Sequence, residues 1–289
     1  MDDNTEKPDK STYYTVTHPD EFQVNWKAFY DKADELTSSV RKALPHELDV
    51  PYGEDAKQRL DVYLPKGKSS KRPVFFFLHG GGFREGDRAY YGFVASPFAK
   101  HGIISAVASY RLVPKFHYPA QPQDAHRALA WVYRNIERYG GDPDRIFVGG
   151  HSAGAILATF VALKGDWMEG LSLPSNLIKG CAAISAPYDL RAEVWAQDYL
   201  PDPSTRAEAS PILHVRGRSP RMVVAVGTLL RPEENMVKPS EDFARKLKEQ
   251  GGDAEMLLLD GMNHADTVLA LGDEQSRLFR TVRKMVFRE

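Results

Sequence analysis

A serine wedged between a strand and a helix constrains this chain more than any other feature. Gly150-His151-Ser152-Ala153-Gly154 follows the apolar run Ile146-Phe147-Val148 and leads into the small-residue segment Ala153 to Leu163. The run predicts a buried strand and the segment a helix, so Ser152 falls on a sharp turn with its hydroxyl exposed. Glycines on both sides remove the Cβ atoms that would collide in such a turn. A second glycine-rich turn, His79-Gly80-Gly81-Gly82-Phe83, follows another buried run, Pro73 to Leu78. Three consecutive glycines let backbone N–H groups converge on one oxygen without side-chain interference, which is how an oxyanion hole is built. Two such turns, each after a strand and in this order, say more together than either does alone.

Around these turns, apolar runs alternate with helical patterns. Leu60–Leu64, Val74–Leu78, Ile103–Ala108, Ile146–Val148, Cys181–Ser185, Met222–Val226 and Met256–Leu259 predict strands. Ala125, Leu129, Val132 and Ile136 mark a helix stopped by Gly140-Gly141, and Phe243 and Leu247 mark another before Gly251-Gly252. The alternation predicts an α/β chain with a mainly parallel central sheet and helices on both faces. No linker rich in Pro, Ser or Gly divides residues 20–289, so one domain is expected there. Residues 1–19 are polar and read as a flexible N-terminal tail. Trp26, Phe29, Tyr30, Ala33, Leu36 and Val40 recur at helical spacing, which predicts an N-terminal helix within residues 20–45. That helix either packs on the core or caps the site.

The formal net charge is −1 over 289 residues, which gives no field for nucleic acid or an anionic membrane. The single cysteine, Cys181, excludes an internal disulfide and a multi-cysteine metal site. It lies in an apolar run and reads as a buried, inert thiol. Neither a glycine-rich phosphate loop nor a His-Glu-x-x-His pair occurs, so no cofactor and no metal is expected. The first ten residues lack an apolar signal core, and no apolar stretch reaches the ~20 residues of a membrane span. A cytoplasmic setting is the expectation.

Ser152 is the candidate nucleophile, and a serine hydroxyl needs a base within hydrogen-bond reach. His264 supplies it, on the short segment Asp260-Gly261-Met262-Asn263-His264 after the last predicted strand. His79 and His151 lie inside the glycine turns and read as supporting neighbours. An acid to orient the base is expected after Met222–Val226, where the chain reads Gly227-Thr228-Leu229-Leu230-Arg231-Pro232-Glu233-Glu234-Asn235. Glu233 and Glu234 are the nearest carboxylates, and Asp189 is the reserve. Oxyanion donors are expected from the backbone N–H groups of Gly81, Gly82 and Ala153, the last at a helix start. Among aromatics near these motifs, Phe83, Tyr90, Tyr118 and Trp195 are the candidates for substrate contact, followed by Tyr91, Phe116 and Tyr199.

On these residues the chain resembles the α/β-hydrolase superfamily. The resemblance is to the branch with an HGGG oxyanion motif that holds hormone-sensitive-lipase-like carboxylesterases and kynurenine formamidase-like enzymes. Tyr110-Arg111-Leu112, Tyr118-Pro119-Ala120 and Asp124-Ala125 look like the esterase pattern. His151, Tyr188-Asp189-Leu190-Arg191 and Ser210-Pro211 look more like the formamidase side. The resemblance implies the α/β-hydrolase fold, with Ser152 and His264 as catalytic serine and histidine. It also implies cleavage of small carboxylic esters through an acyl-enzyme, with N-formyl aryl amides as the alternative. Where the family places its aspartate, this chain has Leu230. A small-molecule ester or amide is the expected partner, without nucleic acid or membrane. A ligand-binding protein on a hydrolase scaffold is the alternative of another class, and retention of His264 argues against it.

Overall fold

The computed structural model describes residues 24–217, 219–229 and 236–288. Among them, eight strands form one sheet: β1 (His46–Pro51), β2 (Arg59–Tyr63), β3 (Arg72–Leu78), β4 (Ile104–Ala108), β5 (Gly141–His151), β6 (Ile178–Ile184), β7 (Arg221–Gly227) and β8 (Ala254–Leu259). Their order across the sheet is β1-β2-β4-β3-β5-β6-β7-β8. β2 is antiparallel to both neighbours, and every pairing from β4 to β8 is parallel. The apolar runs in the sequence correspond to β2 through β8. β1 is the strand they miss. It lies at the sheet edge and buries only Val50, so it carries no apolar period.

A buried parallel sheet needs apolar side chains on both faces. The run Val74 to Leu78 supplies both, because successive residues in a strand point to opposite sides. Val74, Phe76 and Leu78 join a core with Leu129 of α4 (Ala120–Asn135) and Ile156 and Leu157 of α5 (Ala153–Leu163). Phe75 and Phe77 join a second core with Phe29 and Ala33 of α1 (Trp26–Ala43) and Phe98 of α3 (Ala95–Lys100). Leu278, Phe279 and Val282 of α9 (Arg277–Phe287) complete that side. Each fully buried phenylalanine of this run contributes roughly 2 kcal/mol.

α1 begins at the cap Asn25, whose side chain accepts from Ala28 N. It packs on the domain through Phe29, Ala33, Thr37 and Val40, and Thr37 Oγ1 accepts from Phe93 N at 3.0 Å. Residues 1–19, which the sequence marks as a tail, lie outside the described residues. Among the described residues, no helix is long and apolar enough to cross a membrane.

The topology fixes where a site can form. From β3 the chain steps to β4 on one side and then returns past β3 to β5 on the other, so the strand order reverses there. Such a reversal opens a crevice beyond the carboxyl ends of the strands. Leu78 pairs with Gly150, so the two glycine turns emerge side by side. The loops leaving β7 and β8 are tied together nearby: Thr228 N donates to Leu259 O, Leu229 N to Met262 O, and Gly261 N to Thr228 Oγ1.

Candidate active site

Ser152 sits between β5 and α5 with φ 55° and ψ −123°, a conformation L-residues rarely adopt. Its N–H donates to Ile184 O at 2.8 Å. Both flanking glycines are required by space. A Cβ on Gly150 would strike the carbonyl of Gly154, and one on Gly154 would strike the carbonyls of Leu78 and His79. The second contact shows that α5 starts directly against the HGGG turn. α5 buries ten of its residues, Ala153 to Ala162, which is why small and aliphatic side chains fill it. In the first turn of α5, Ala155 N and Ile156 N donate to Ser152 O at 2.9 and 3.2 Å, and the Ala153 N–H directly follows Ser152.

The HGGG turn is shaped by glycine conformations. Gly81 has φ 120° and Gly82 φ 59°, and the carbonyl of Gly81 accepts from Arg84 N and Glu85 N, both at 3.0 Å. His79 is fully buried and stacks on Tyr110, with centroids 4.4 Å apart. Tyr110 Oη donates to His79 O at 2.8 Å. Burial pushes the His79 imidazole down to about 4, so it is a neutral brace of the turn.

His264 is the first residue of α8 (His264–Leu271) rather than part of an irregular loop. A capping box holds it there. The Asn263 side chain accepts from Ala265 N and Asp266 N, and the Asp266 carboxylate accepts from Asn263 N. The His264 carbonyl accepts from Thr267 Oγ1 at 2.8 Å and lies 2.9 Å from His151 Nε2. The His264 ring is 8 % exposed, and burial lowers its pKa to about 4. Its Nδ1 is buried and finds no hydrogen-bond partner among the described residues.

These groups open on one cavity of about 530 Å³. Of the candidate site residues, Gly81, Gly82, Ser152, Ala153, His264 and Trp195 line it. Val24, Trp26, Arg84, Tyr91, Pro187 and Met236 complete much of the wall. Trp195 is steadied by its Nε1–H, which donates to Glu193 at 2.6 Å. Of the aromatic candidates, Trp195 and Tyr91 are on the wall, whereas Phe83, Tyr118 and Tyr90 stand off it. Phe83 is fully buried and stacks on Tyr199 at 3.8 Å. Tyr118 packs on Phe160 and Tyr199, and Tyr90 lies against Tyr30. Their spacing from the motifs does not reveal which way the rings turn. Arg84 and Met236 carry no sequence signal that separates them from ordinary surface residues.

The candidate acids are placed unequally. Glu233 and Glu234 lie outside the described residues. The chain enters that stretch from Leu229 and leaves it at Met236 on the cavity wall. Asp189 is not on the wall; both its oxygens are engaged by Arg191, at 2.9 and 2.6 Å, which holds its carboxyl below the usual range. Cys181 is fully buried in β6, and burial pushes its thiol well above the ordinary value. Among the described residues, no group of three His, Cys, Asp or Glu side chains is arranged to hold a metal.

Known proteins share this architecture. Kynurenine formamidase of Danio rerio is 28% identical over 260 residues, covering 86% of this chain and 85% of that protein. An isoprenylcysteine alpha-carbonyl methylesterase of Arabidopsis thaliana is 30% identical over 182 residues, which are 62% of this chain but only 40% of that protein. The crystal structure of the carboxylesterase EstE1, from a metagenomic library, superposes with a TM-score of 0.73 at 24% identity, covering 90% of this chain and 95% of that one. The fold is therefore the α/β-hydrolase fold, and the formamidase and esterase relatives make the chain a hydrolase. The BD-FAE family model matches residues 60–241, which span the HGGG turn, the Ser152 turn and β7, and the chain belongs to that family.

Proposed function

We propose that this protein is a serine hydrolase that cleaves small carboxylic esters through an acyl-enzyme. The observation that carries the reading is the shared cavity on which Ser152, His264, Gly81, Gly82 and Ala153 converge. Ser152 Oγ attacks the ester carbonyl while His264 takes its proton. The carbonyl oxygen becomes an oxyanion held by the N–H groups of the HGGG turn and of Ala153, each donor worth about 3 kcal/mol of barrier. His264 then protonates the departing alcohol, and water repeats the sequence to release the acid. The imidazolium formed in these steps needs a carboxylate at Nδ1. The partnerless, buried Nδ1 supports a carboxylate there, and Glu233 or Glu234 is the assigned source. Trp26 and Val24, at the start of α1, roof the cavity and limit acyl length.

A second reading, hydrolysis of N-formyl aryl amides, is favoured by one observation: the kynurenine formamidase relative matches most of both chains. The test is kcat/KM for acetyl, butyryl and octanoyl 4-nitrophenyl esters beside N-formylkynurenine. Acetyl or butyryl should lead, since each methylene left outside the cavity forfeits about 0.8 kcal/mol of burial. Preference for octanoyl would contradict short-acyl specificity. Turnover of N-formylkynurenine above every ester would establish the second reading.

A further inference from the structure

His151 touches three segments of the site, and the proposed chemistry does not use it. It ends β5, is 1 % exposed, and lines the cavity. On one side its Nε2 lies 2.9 Å from the carbonyl oxygen of His264. A carbonyl only accepts, so that contact places the ring hydrogen on Nε2 and leaves Nδ1 as the lone-pair nitrogen of a neutral imidazole. On the other side Nδ1 packs against the oxyanion turn: a Cβ on Gly80 would lie 2.7 Å from it. The imidazole thus fills the volume a side chain on Gly80 would take. Its ring centroid is 4.6 Å from that of His264.

We propose that His151 is a positioning residue, whose Nε2–H ties the base to the nucleophile strand while its ring spaces the oxyanion turn from both. This role rests on Ser152 and His264 being nucleophile and base. The His264 carbonyl is also held by Thr267 Oγ1 within its own helix. Thr267 Oγ1 in turn accepts from Ser185 Oγ at 2.9 Å, which ties α8 to the segment after β6, and His151 adds the direct link from the His264 backbone to the end of β5. The titratable group facing it from α8 is His264, while the oxyanion turn presents the backbone of Gly80. A neutral ring suits that place. A second cation beside His264 would oppose the imidazolium that forms when the serine is deprotonated, and burial, then the His264 charge, hold His151 well below the usual histidine range.

The test pairs two amides of different reach. In His151→Gln the side-chain N–H falls near the position of Nε2; in His151→Asn it falls near that of Nδ1. His151→Asn should lower kcat on 4-nitrophenyl acetate by about 10²-fold with KM little changed, and His151→Gln should recover most of that loss. Folded variants that behave alike, both near wild type or both impaired, would overturn the role. Should neither fold, nitrogen-15 histidine NMR of the wild-type protein decides. A neutral Nε2–H tautomer for His151 at pH 7 that persists at pH 5.5 supports the role, and an Nδ1–H tautomer or a protonated ring overturns it. Fluorophosphonate labelling of wild-type Ser152 separates the two failures. Labelling with indistinguishable variants removes the His151 role alone, whereas absence of labelling removes the serine reading and the role with it.

Discussion

The edge of the Trp26 indole stands against the His264 imidazole, with ring centroids 6.0 Å apart and planes at 79°. α1 thereby reaches the proposed base, His264. The rest of the helix is anchored by Phe29 and Ala33, both fully buried, so Trp26 is presented from a fixed support.

Trp26→Ala should therefore widen the acyl range rather than unfold the protein. Trp26 is 42 % exposed, so its loss removes little burial. The ratio of octanoyl to acetyl kcat/KM is expected to rise several-fold with a small change in Tm. An unchanged ratio would show that α1 does not bound the acyl site.

The acid is tested by Glu233→Gln and Glu234→Gln, each read by a pH profile. Burial alone holds His264 down at about 4, and a carboxylate at Nδ1 would raise it by favouring the imidazolium. The base must be neutral to act, so kcat/KM rises with pH through this pKa. The functional substitution should lower kcat by about 10³- to 10⁴-fold and move the acid limb to lower pH, while its neighbour does neither. If both variants keep wild-type kcat and profile, the acid lies elsewhere.

The glycines of the two turns should separate by space. Gly154→Ala drives a methyl into the carbonyls of Leu78 and His79, so loss of soluble folded protein or a large drop in Tm is expected. Gly82→Ala meets open space, and its penalty is the positive φ of 59°, about 1–2 kcal/mol. Comparable Tm values for the two would contradict the packing of α5 against the oxyanion turn.

Stability should weaken in mild acid. His79 is held down at about 4 and His151 well below its ordinary value, both chiefly by burial. Below the unfolded value of about 6.5, the unfolded chain binds protons that the native state refuses, so stability falls as pH falls and is level above that point. His79 alone removes about 1.4 kcal/mol by pH 5.5, and His151 acts in the same direction. Thermal melts from pH 7.5 to 5.5 should show Tm decreasing, and a flat or rising Tm would contradict neutral burial of these rings.

Much of the fold was legible in the sequence because the sheet is buried on both faces. Runs such as Val74 to Leu78 need no alternation to announce a strand there. The edge strand β1 was not legible, since it buries only Val50. The turns around Ser152 and Gly81 could be placed because glycine marks them locally, Gly81 and Gly82 through positive φ and Gly150 through its contact with the Gly154 carbonyl. Ring direction is not local. Phe83 adjoins the HGGG turn in sequence yet points into the stack with Tyr199, whereas Trp26, far away in sequence, meets His264. His151 shows the same limit: its residue type is visible beside Ser152, but its link to the carbonyl of His264 depends on how β5 and α8 meet.

The central claim is that Ser152 is an activated nucleophile served by His264. The most direct measurement is labelling of the native protein with a fluorophosphonate, followed by peptide mass spectrometry, alongside Ser152→Ala and His264→Ala. One adduct is expected, on the peptide carrying Ser152, absent from Ser152→Ala and strongly slowed in His264→Ala, with kcat on 4-nitrophenyl acetate lost in both. A folded wild-type protein that takes no label at Ser152, or a Ser152→Ala variant that still turns over the ester at the wild-type rate, would contradict it.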